Sequence, residues 1–365
     1  MARCSPPLLR RLFCRAAKSA SAAGAGAGGT SKKNIVFLGS PQVAASVLET
    51  LLVASESPDS SFQVSAVVTQ PPAAKNRGRK LMPSAVAQLA LDRGFPGDLI
   101  FTPERAGEVL PSKSFSGKTR IEATMVLSCT RINAGGVSVR PEGGETRALH
   151  HCCLWKHSAS EVSLISRLMD GVEETGVSLA YTVRALDAGP VIASEKFAVD
   201  EYIKAPELLA ILFNLGSKLL LHELPSILDG TAKEKAKPQD DSKITHAPKL
   251  NSDESWLSFN QEAKLLHNKV RAFAGWPGTR AKLQLVNQNG EPDVLEIKVI
   301  STKACASCDK TGDGNEVLFS GNSLLIPCGG SSCLEVVELQ LPGKKVTTAR
   351  DFWNGLRGQR LLKSP

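Results

Sequence analysis

Short apolar runs alternate with amphipathic segments over the first third of the chain. The apolar run NIVFLGS (34–40) precedes PQVAASVLETLL, whose apolar positions recur at helical spacing. A second apolar run covers 62–70. The segment 83–94 carries helix start and stop signals, with Pro near its beginning and Gly at its end. A third strand is predicted at 98–103. This β-α-β-α-β order predicts an open, doubly wound parallel sheet.

The pattern lapses in the middle of the chain and then returns. Residues 110–166 show no reliable periodicity apart from TMVLSC (124–129), which fits a strand. Two strands are predicted at 175–183 and 189–199, and a long apolar helix at 205–228. No run of eighteen apolar residues occurs, so no membrane span is expected.

The last third of the chain has a different organisation. A polar, Pro-containing segment at 236–255 predicts a linker between an α/β domain at 34–235 and a second domain at 256–365. That second domain opens with a predicted helix at 259–274. Several short strands separated by Gly-rich turns follow, and a short basic helix (344–358) comes near the end. This arrangement predicts a small β-barrel.

The amino-terminal segment, residues 1–33, is basic and has no acidic residue. It holds seven Lys and Arg residues, and the first acidic residue of the chain is Glu49. Because the formal net charge of the whole chain is +8, residues 34–365 carry about +1. This Arg- and Ser-rich composition predicts a cleaved organelle transit peptide, with a disordered tail as the alternative. The basic amphipathic string PPLLRRLFCRAAK favours the mitochondrial matrix over the chloroplast.

The cofactor and metal motifs are incomplete. The turn after the first strand has one glycine, Gly39, where a dinucleotide fingerprint needs G-x-G-x-x-G, and no Gly-Lys-Ser/Thr phosphate loop occurs. Nine cysteines in a matrix protein predict thiols rather than a disulfide framework. One set in predicted hairpin loops loosely imitates a zinc ribbon, but its second pair is spaced C-x4-C: Cys305, Cys308, Cys328 and Cys333. No metal is therefore expected.

Three strings carry the candidate chemistry. They are VVTQPPAAKNRGRKLMPSAV (67–86), ETGVSLAYTVRALDAGPVIA (174–193) and NKVRAFAGWPGTRA (268–281). Together they closely resemble the methionyl-tRNA formyltransferase family, in its plant-like mitochondrial form. The resemblance covers roughly 34–108 and 168–365. It implies a Rossmann-like formyltransferase domain, an OB-like C-terminal barrel and a monomer.

The resemblance also implies the reaction. A formyl group moves from 10-formyltetrahydrofolate, the co-substrate, to the α-amine of methionyl initiator tRNA. Such chemistry needs a donor at the tetrahedral oxyanion and a base for the amine proton, and no metal. By resemblance, Asp187 is catalytic, and Leu186, Ala188 and Gly189 of the same turn bind the folate.

The family's second motif, Asn-x-His-Pro-Ser-Leu-Leu-Pro, is not present in its usual form. The family spacing places its His at His151, 36 residues before Asp187, with Leu149 in place of Asn. His151 is therefore either the family's catalytic His or a coincidence of spacing. A metal held by adjacent His and Cys residues is disfavoured, because zinc sites space their ligands.

A change of reading frame explains this stretch better. The codons CCA-TCA-TTG-TTG-CCT encode Pro-Ser-Leu-Leu-Pro, and from their second base they read His-His-Cys-Cys, as at residues 150–153. We hypothesise that the stretch is a shifted-frame or mis-spliced reading of the family motif. A genomic exon that encodes only the present peptide in frame would contradict this hypothesis.

A basic loop is predicted to bind tRNA. Four cations fall within six residues of a Gly-containing loop, Lys75, Arg77, Arg79 and Lys80, which the family uses to hold the acceptor stem. A solvated basic turn is the alternative. The second domain offers further candidates by resemblance: Lys344, Lys345, Arg357 and Arg360. Trp276 is expected to pack in the core, with stacking on a base as the alternative.

Two other functions stay open from the sequence. A catalytically impaired tRNA- or folate-binding relative would also lack the Asn-x-His motif. A hydrolase that releases formate from 10-formyltetrahydrofolate would need no tRNA-binding surface, so the basic loop and the second domain argue against it.

We predict that residues 1–33 are removed on import into mitochondria, because seven cations without one acid are typical of such presequences. Import of the full chain into isolated mitochondria should yield a shortened, protease-protected product. A precursor that stays full-length and outside the organelle would contradict the prediction.

Overall fold

The protein is described here from a computed structural model. Side chains are described throughout the covered ranges except at 123–128, 150–154 and 161–163, where the backbone alone is described. The covered residues are 32–74, 81–104, 123–128, 150–154, 161–183, 189–240, 242, 250–287, 290–306 and 314–364.

The first part of the chain alternates strands and helices. The predicted strands and helices of this part are confirmed with small shifts at their ends. In chain order the elements are β1 (Lys33–Leu38), α1 (Gln42–Glu56), β2 (Phe62–Val68), β3 (Ala73–Ala74), β4 (Leu81–Met82), α2 (Ala85–Asp92), β5 (Ile100–Phe101), β6 (Ala123–Ser128), β7 (His150–Leu154), α3 (Glu161–Met169), β8 (Glu174–Tyr181), β9 (Val191–Ala198), α4 (Ala205–Asp229) and α5 (Thr231–Lys235).

Seven of these strands form one mixed sheet. Its order is β5-β2-β1-β6-β7-β8-β9, with parallel pairing from β5 to β7 and antiparallel pairing from β7 to β9. The chain moves outward from β1 through β2 to β5 and then crosses to β6 on the other side of β1. This reversal is the switch point at which open α/β sheets bind ligands.

Two elements lie where the sequence showed no reliable pattern. The stretch His150–Leu154 forms β7, between β6 and β8, and α3 covers Glu161–Met169. The expectation of an irregular segment is therefore wrong for these residues. For α3 the signal was present, since Leu164, Ile165 and Leu168 recur at helical spacing and are buried.

Helix α4 supplies much of the core of this part. Its buried positions include Leu208, Leu212, Leu220 and Leu224, which pack with α1 and the strands. Burial against the sheet explains why so apolar a helix forms here. By length and composition alone α4 would also be able to cross a membrane, a test that core helices of soluble proteins pass as well.

The last part of the chain is built mainly of antiparallel strands. The predicted first helix and the short strands are present. The segment predicted as one basic helix (344–358) instead holds a short strand and a shorter helix, and a further strand follows it near the end. The elements are α6 (Ala263–Ala272), β10 (Thr279–Val286), β11 (Pro292–Cys305), β12 (Leu318–Ser320), β13 (Ser323–Pro327), β14 (Cys333–Gln340), β15 (Val346–Thr348), α7 (Ala349–Gly355) and β16 (Arg360–Lys363).

The strands of this part form a second seven-stranded sheet. Its path is β12-β13-β14-β11-β10-β16, with β15 paired to β14. Between the two ends of this path the described residues make an antiparallel bridge from Glu316 to Leu362 rather than a full strand pair. The buried side chains of this sheet, α6 and α7 form a hydrophobic cluster of their own.

Helix α6 belongs to both clusters of buried side chains. Its Leu266 and Val270 pack into the second cluster, whereas Ala272 and the adjoining Phe273 pack into the first. Contacts of α6 with α3 accompany this arrangement. The two halves of the chain are thus joined by a shared helix as well as by the segment that links them.

The structure corrects two expectations about single residues. Trp276 is 62% exposed, so the expectation that it packs in the core is wrong. Cys305 ends β11 and lies opposite Cys333 at the start of β14, so these two cysteines are in strands rather than in hairpin loops. Cys308 lies outside the described residues.

Buried polar groups hold α6 against the segment between β9 and α4, which belongs to the α/β part of the chain. His267, 4% exposed, places Nε2 2.9 Å from the Glu201 carbonyl oxygen and Nδ1 3.0 Å from the Thr302 hydroxyl. Because a carbonyl oxygen only accepts, the ring proton lies on Nε2, and Nδ1 accepts from Thr302. Arg271 donates to the Asp200 carbonyl oxygen at 3.0 Å.

Replacing His267 with Gln should flatten the pH dependence of stability. Burial lowers the pKa of His267, and Arg271 and Lys264 add to this effect while Glu201 opposes it. The folded state therefore favours the neutral ring. Its contribution is complete above the unfolded pKa of about 6.5 and is lost as the pH falls toward the lower folded value, at up to about 1.4 kcal/mol per pH unit.

Denaturant titrations at several pH values measure this slope. His222→Gln is the matched control, because the side chain of His222 is 81% exposed. Equal slopes below about pH 6.5 in the wild type and in His267→Gln would contradict the role assigned to His267.

Candidate functional site

The site is defined by a row of residues across the first sheet. Strand pairing aligns Val68, Leu38, Ser128, Cys153 and Ala180 side by side. The first four of these lie at or next to the carboxyl ends of parallel strands, where α/β sheets bind their ligands. The segments that follow β1 and β2 at this edge are therefore candidates for substrate binding, whereas the antiparallel β8 directs its following turn toward the opposite edge.

A network of hydroxyl groups joins three of these segments. Ser40 follows β1, Thr69 follows β2, and Ser84 caps α2. The Thr69 hydroxyl lies 3.3 Å from Ser40 Oγ and shares a 2.6 Å hydrogen bond with Ser84 Oγ, which accepts from the Ala87 N–H at 3.0 Å. Ser40 Oγ also accepts from the Gln70 N–H at 3.0 Å. The network fixes the segments that begin and end the basic string.

The basic string forms a hairpin that starts from this network. Strands β3 and β4 pair, with Ala73 opposite Met82 and Ala74 opposite Leu81. All four strand residues are exposed, Leu81 by 64%, so both strands lie at the protein surface. The predicted tRNA-binding residues lie between the two strands and outside the described residues: Lys75, Arg77, Arg79 and Lys80. The residues on either side of the basic loop are therefore at the protein surface.

The turn predicted to bind folate is described at its ends. Leu186, Asp187 and Ala188 lie outside the described residues, whereas Val183 and Gly189 are within them. Gly189 is buried, and a Cβ atom there would overlap the Tyr181 carbonyl oxygen, so the site requires glycine.

The backbone brings His151 next to this turn. His151 is the second residue of β7, and its neighbour Cys152 pairs with Tyr181, six residues before Asp187. The chain that leaves Tyr181 therefore runs alongside His151. The side chain of His151 lies outside the described part, as does Leu149, so the assignment of His151 as the family's catalytic His stays a prediction.

A segment that sequence reasoning treated as a plain linker touches the same turn. The backbones of Lys237 and Val191 exchange two hydrogen bonds, each 2.8 Å long. The Gln239 side-chain amide donates a hydrogen bond to the Gly189 carbonyl oxygen. Just before this contact, residues 231–235 form helix α5. The linker thus begins as part of the first sheet.

The second half of the chain presents cations in several places. Lys344 and Lys345 are exposed in the turn between β14 and β15, and Arg357 is exposed after α7. Arg360 is exposed as well but is engaged by Glu316, with Nε 3.0 Å from the carboxylate. The four predicted candidates are therefore on the surface, at separate turns and strands.

Sequence reasoning missed an aromatic and basic cluster on β10. The Lys282 ammonium lies 5.2 Å from the ring centroid of the half-buried Trp256, and the Arg280 guanidinium lies 6.0 Å from it. Both distances are within the range of cation–π attraction. The alternating exposed cations at Arg280 and Lys282 were the available signal, since alternate residues of a strand share a face.

No group of three or more His, Cys, Asp or Glu side chains able to hold a metal ion occurs in the part of the chain that the structure describes. The described residues instead offer the two exposed strands that flank the basic string, a glycine-constrained turn and exposed cations on a second sheet. Such an arrangement can hold a polyanion that reaches the edge of the first sheet.

Comparisons with known proteins agree with this arrangement. Residues 249–357 match the family described as Formyl transferase, C-terminal domain. The chain is 31% identical to the methionyl-tRNA formyltransferase of Halorhodospira halophila, over 88% of this chain and 96% of the relative. It is 30% identical to the methionyl-tRNA formyltransferase of Thermotoga maritima, over 90% of this chain and 96% of the relative.

A similarity to a solved structure is weaker. The sugar 3N-formyl transferase WlaRD, in a structure with dTDP and 5-N-formyl-THF, gives a TM-score of 0.46 at 15% identity. The alignment covers 87% of this chain and 100% of that one.

An α/β sheet followed by a C-terminal formyl transferase domain defines an enzyme that transfers formyl groups. The relatives match both parts of the chain at 30% identity or more. The chain belongs to the methionyl-tRNA formyltransferase family, and the sequence prediction of this family is confirmed.

Replacing Arg77 with Ala should weaken the use of tRNA and leave folate binding nearly unchanged. Arg77 belongs to the loop between β3 and β4, whereas the predicted folate turn follows β8. One phosphate or base contact is worth on the order of 1–3 kcal/mol, so KM for methionyl-tRNA should rise about tenfold or more.

Steady-state formylation at several tRNA concentrations measures this effect. Lys218→Ala is the matched control, since it removes one exposed cation from α4. Equal dependence on tRNA in Arg77→Ala and in the control would contradict the assignment of the basic loop.

Proposed function

We propose that this chain transfers the formyl group of 10-formyltetrahydrofolate to the α-amine of methionyl initiator tRNA. The observation that carries the proposal is the similarity to methionyl-tRNA formyltransferases over nearly their whole length, 96% of the Thermotoga maritima relative. The four cations of the basic string between β3 and β4 support it, because a tRNA substrate needs cations that contact its phosphates.

The proposed reaction proceeds by direct transfer between two nitrogen atoms. The amine nitrogen of the methionyl group attacks the formyl carbon, and a tetrahedral oxyanion forms. The bond from that carbon to N10 of the folate then breaks, and the proton lost by the amine ends on the folate nitrogen. Asp187 and a neighbouring His would accept this proton from the amine and pass it to the folate, with His151 as the candidate His. An Asn side chain would normally donate to the oxyanion.

Further features of the protein are proposed with this function. The division into 34–235, a linker at 236–255 and 256–365 follows the change from a mixed α/β sheet to an antiparallel sheet. The bridge from Glu316 to Leu362 supports an OB-like barrel in the last part. Lys75, Arg79 and Lys80 would act with Arg77 on tRNA.

The location and assembly of the protein are proposed from the sequence. The acid-free basic segment 1–33 supports import into the mitochondrial matrix, as in a plant-like mitochondrial form of the family, with the chloroplast as the alternative. We propose that the protein acts as a monomer, following the family resemblance.

One observation favours a second candidate, a catalytically impaired relative that still binds tRNA or folate. Leu149 stands where the family has Asn, and its side chain has no hydrogen-bond donor for the oxyanion. The basic hairpin and the C-terminal formyl transferase domain do not depend on this position. Binding would therefore survive in a chain whose chemical step is slow.

We predict that restoring the family segment accelerates formylation. Loss of one oxyanion donor typically costs about 10²–10³ in rate, and a misplaced base adds roughly another factor of 10². Residues 110–156 are replaced by the corresponding segment of the Thermotoga maritima relative. Single-turnover formylation of methionyl initiator tRNA is then compared with that of the unmodified chain.

A smaller exchange serves as the control. Replacing only residues 149–156 with Asn-Ile-His-Pro-Ser-Leu-Leu-Pro should recover less, because β7 now occupies His150–Leu154 in register with β6. Comparable rates in the unmodified chain and in the restored chain would show that the present stretch is a working variant of the site. Binding of methionyl-tRNA without transfer would instead favour the impaired relative.

A further inference from the structure

The segment after α5 adds an extended stretch to the first sheet. Lys237 and Val191 exchange both of their backbone hydrogen bonds, so the segment runs antiparallel to the start of β9. Backbone pairing of this kind fixes both the position and the direction of the segment. Two residues farther along, Gln239 is half-buried and faces the end of the turn that follows β8.

Gly189 has little freedom at this point. A Cβ atom there would overlap the Tyr181 carbonyl oxygen, and the next residue, Pro190, accepts a hydrogen bond from the Tyr181 N–H at 3.0 Å. The Gly189 carbonyl oxygen accepts from the Gln239 amide. The turn from Val183 to Gly189 is thus held at its far end by a side chain from another segment.

We infer that Gln239 is a positioning residue for the turn that carries Asp187. The inference rests on the proposed function, which makes this turn the folate-binding turn. A backbone carbonyl only accepts, so the contact needs the NH₂ group of the amide. Because Gln239 lies in the segment that leads to the second half of the chain, it ties that segment to the catalytic turn.

Two variants and a matched control test the inference. Gln239→Ala removes the donor, and Gln239→Glu keeps the size while placing an acceptor against the carbonyl oxygen. Lys237→Ala is the control, since Lys237 is exposed and pairs through its backbone alone. Melting temperatures identify any variant that fails to fold, and the second variant then replaces it.

Hydrogen–deuterium exchange of the peptide covering 182–190 is the first readout. Both Gln239 variants should exchange faster there than the wild type, and Lys237→Ala should not. The second readout is the binding of 5-formyltetrahydrofolate, a stable folate that needs no turnover. Its affinity should fall on the order of three- to tenfold in the Gln239 variants, the range expected for one hydrogen bond, while tRNA affinity stays unchanged.

The outcomes separate this inference from the proposed function. A wild-type chain that binds no 5-formyltetrahydrofolate contradicts the proposed function, whatever Gln239 does. A wild-type chain that binds it, together with unchanged exchange or unchanged affinity in both Gln239 variants, overturns the positioning role alone. Equal losses in Lys237→Ala would also overturn it, because the effect would then come from the segment and not from the amide.

Discussion

The burial of helix α6 on two sides is the constraint on which the rest of the structure depends. Leu266 and Val270 are covered by the second sheet, while Ala272 and Phe273 are covered by the first half of the chain. A helix buried on both faces cannot leave either partner without exposing apolar surface to water, which costs about 25 cal/mol per Å². The two sheets are therefore held as one unit around this helix.

Polar contacts make this arrangement specific. The carbonyl oxygens of Asp200 and Glu201 accept hydrogen bonds from Arg271 and His267, which are themselves largely buried. An unpaired buried donor costs about 1–3 kcal/mol, so a rotated or shifted helix would be penalised at each position. Hydrophobic contact alone would tolerate several orientations, whereas these pairs favour one.

The candidate site depends on elements that are distant in the chain. The hydroxyl groups of Ser40, Thr69 and Ser84 hold the base of the basic hairpin, and Gln239 reaches the turn after β8 from the linker. A tRNA substrate is large enough to touch the hairpin and the second sheet together. Fixed geometry among these parts would therefore matter more for its reaction than for that of a small molecule.

The regular elements of this protein were accessible from local patterns. Strands β1 and β2 read as continuous apolar runs because both faces of a parallel sheet are covered, and α4 reads as an apolar helix because one of its faces packs on that sheet. The basic loop and the Leu-Asp-Ala-Gly turn were likewise visible, since their residue types lie next to one another. The helices, the strands and the family motifs could thus be predicted from residues that are neighbours in the sequence.

Other features depend on contacts between distant segments. The stretch His150–Leu154 becomes a strand because β6 and β8 offer it backbone partners on both sides, which its own side chains do not indicate. Trp276 is exposed although its place in the GWPG turn at a predicted domain junction suggested burial, and Phe273, three residues earlier, is the aromatic residue buried there. The pairing of Gln239 with Gly189 spans 50 residues, so no window along the chain contains both groups. Hydrogen bonds and burial of this kind arise only when the folded backbone brings separate segments together.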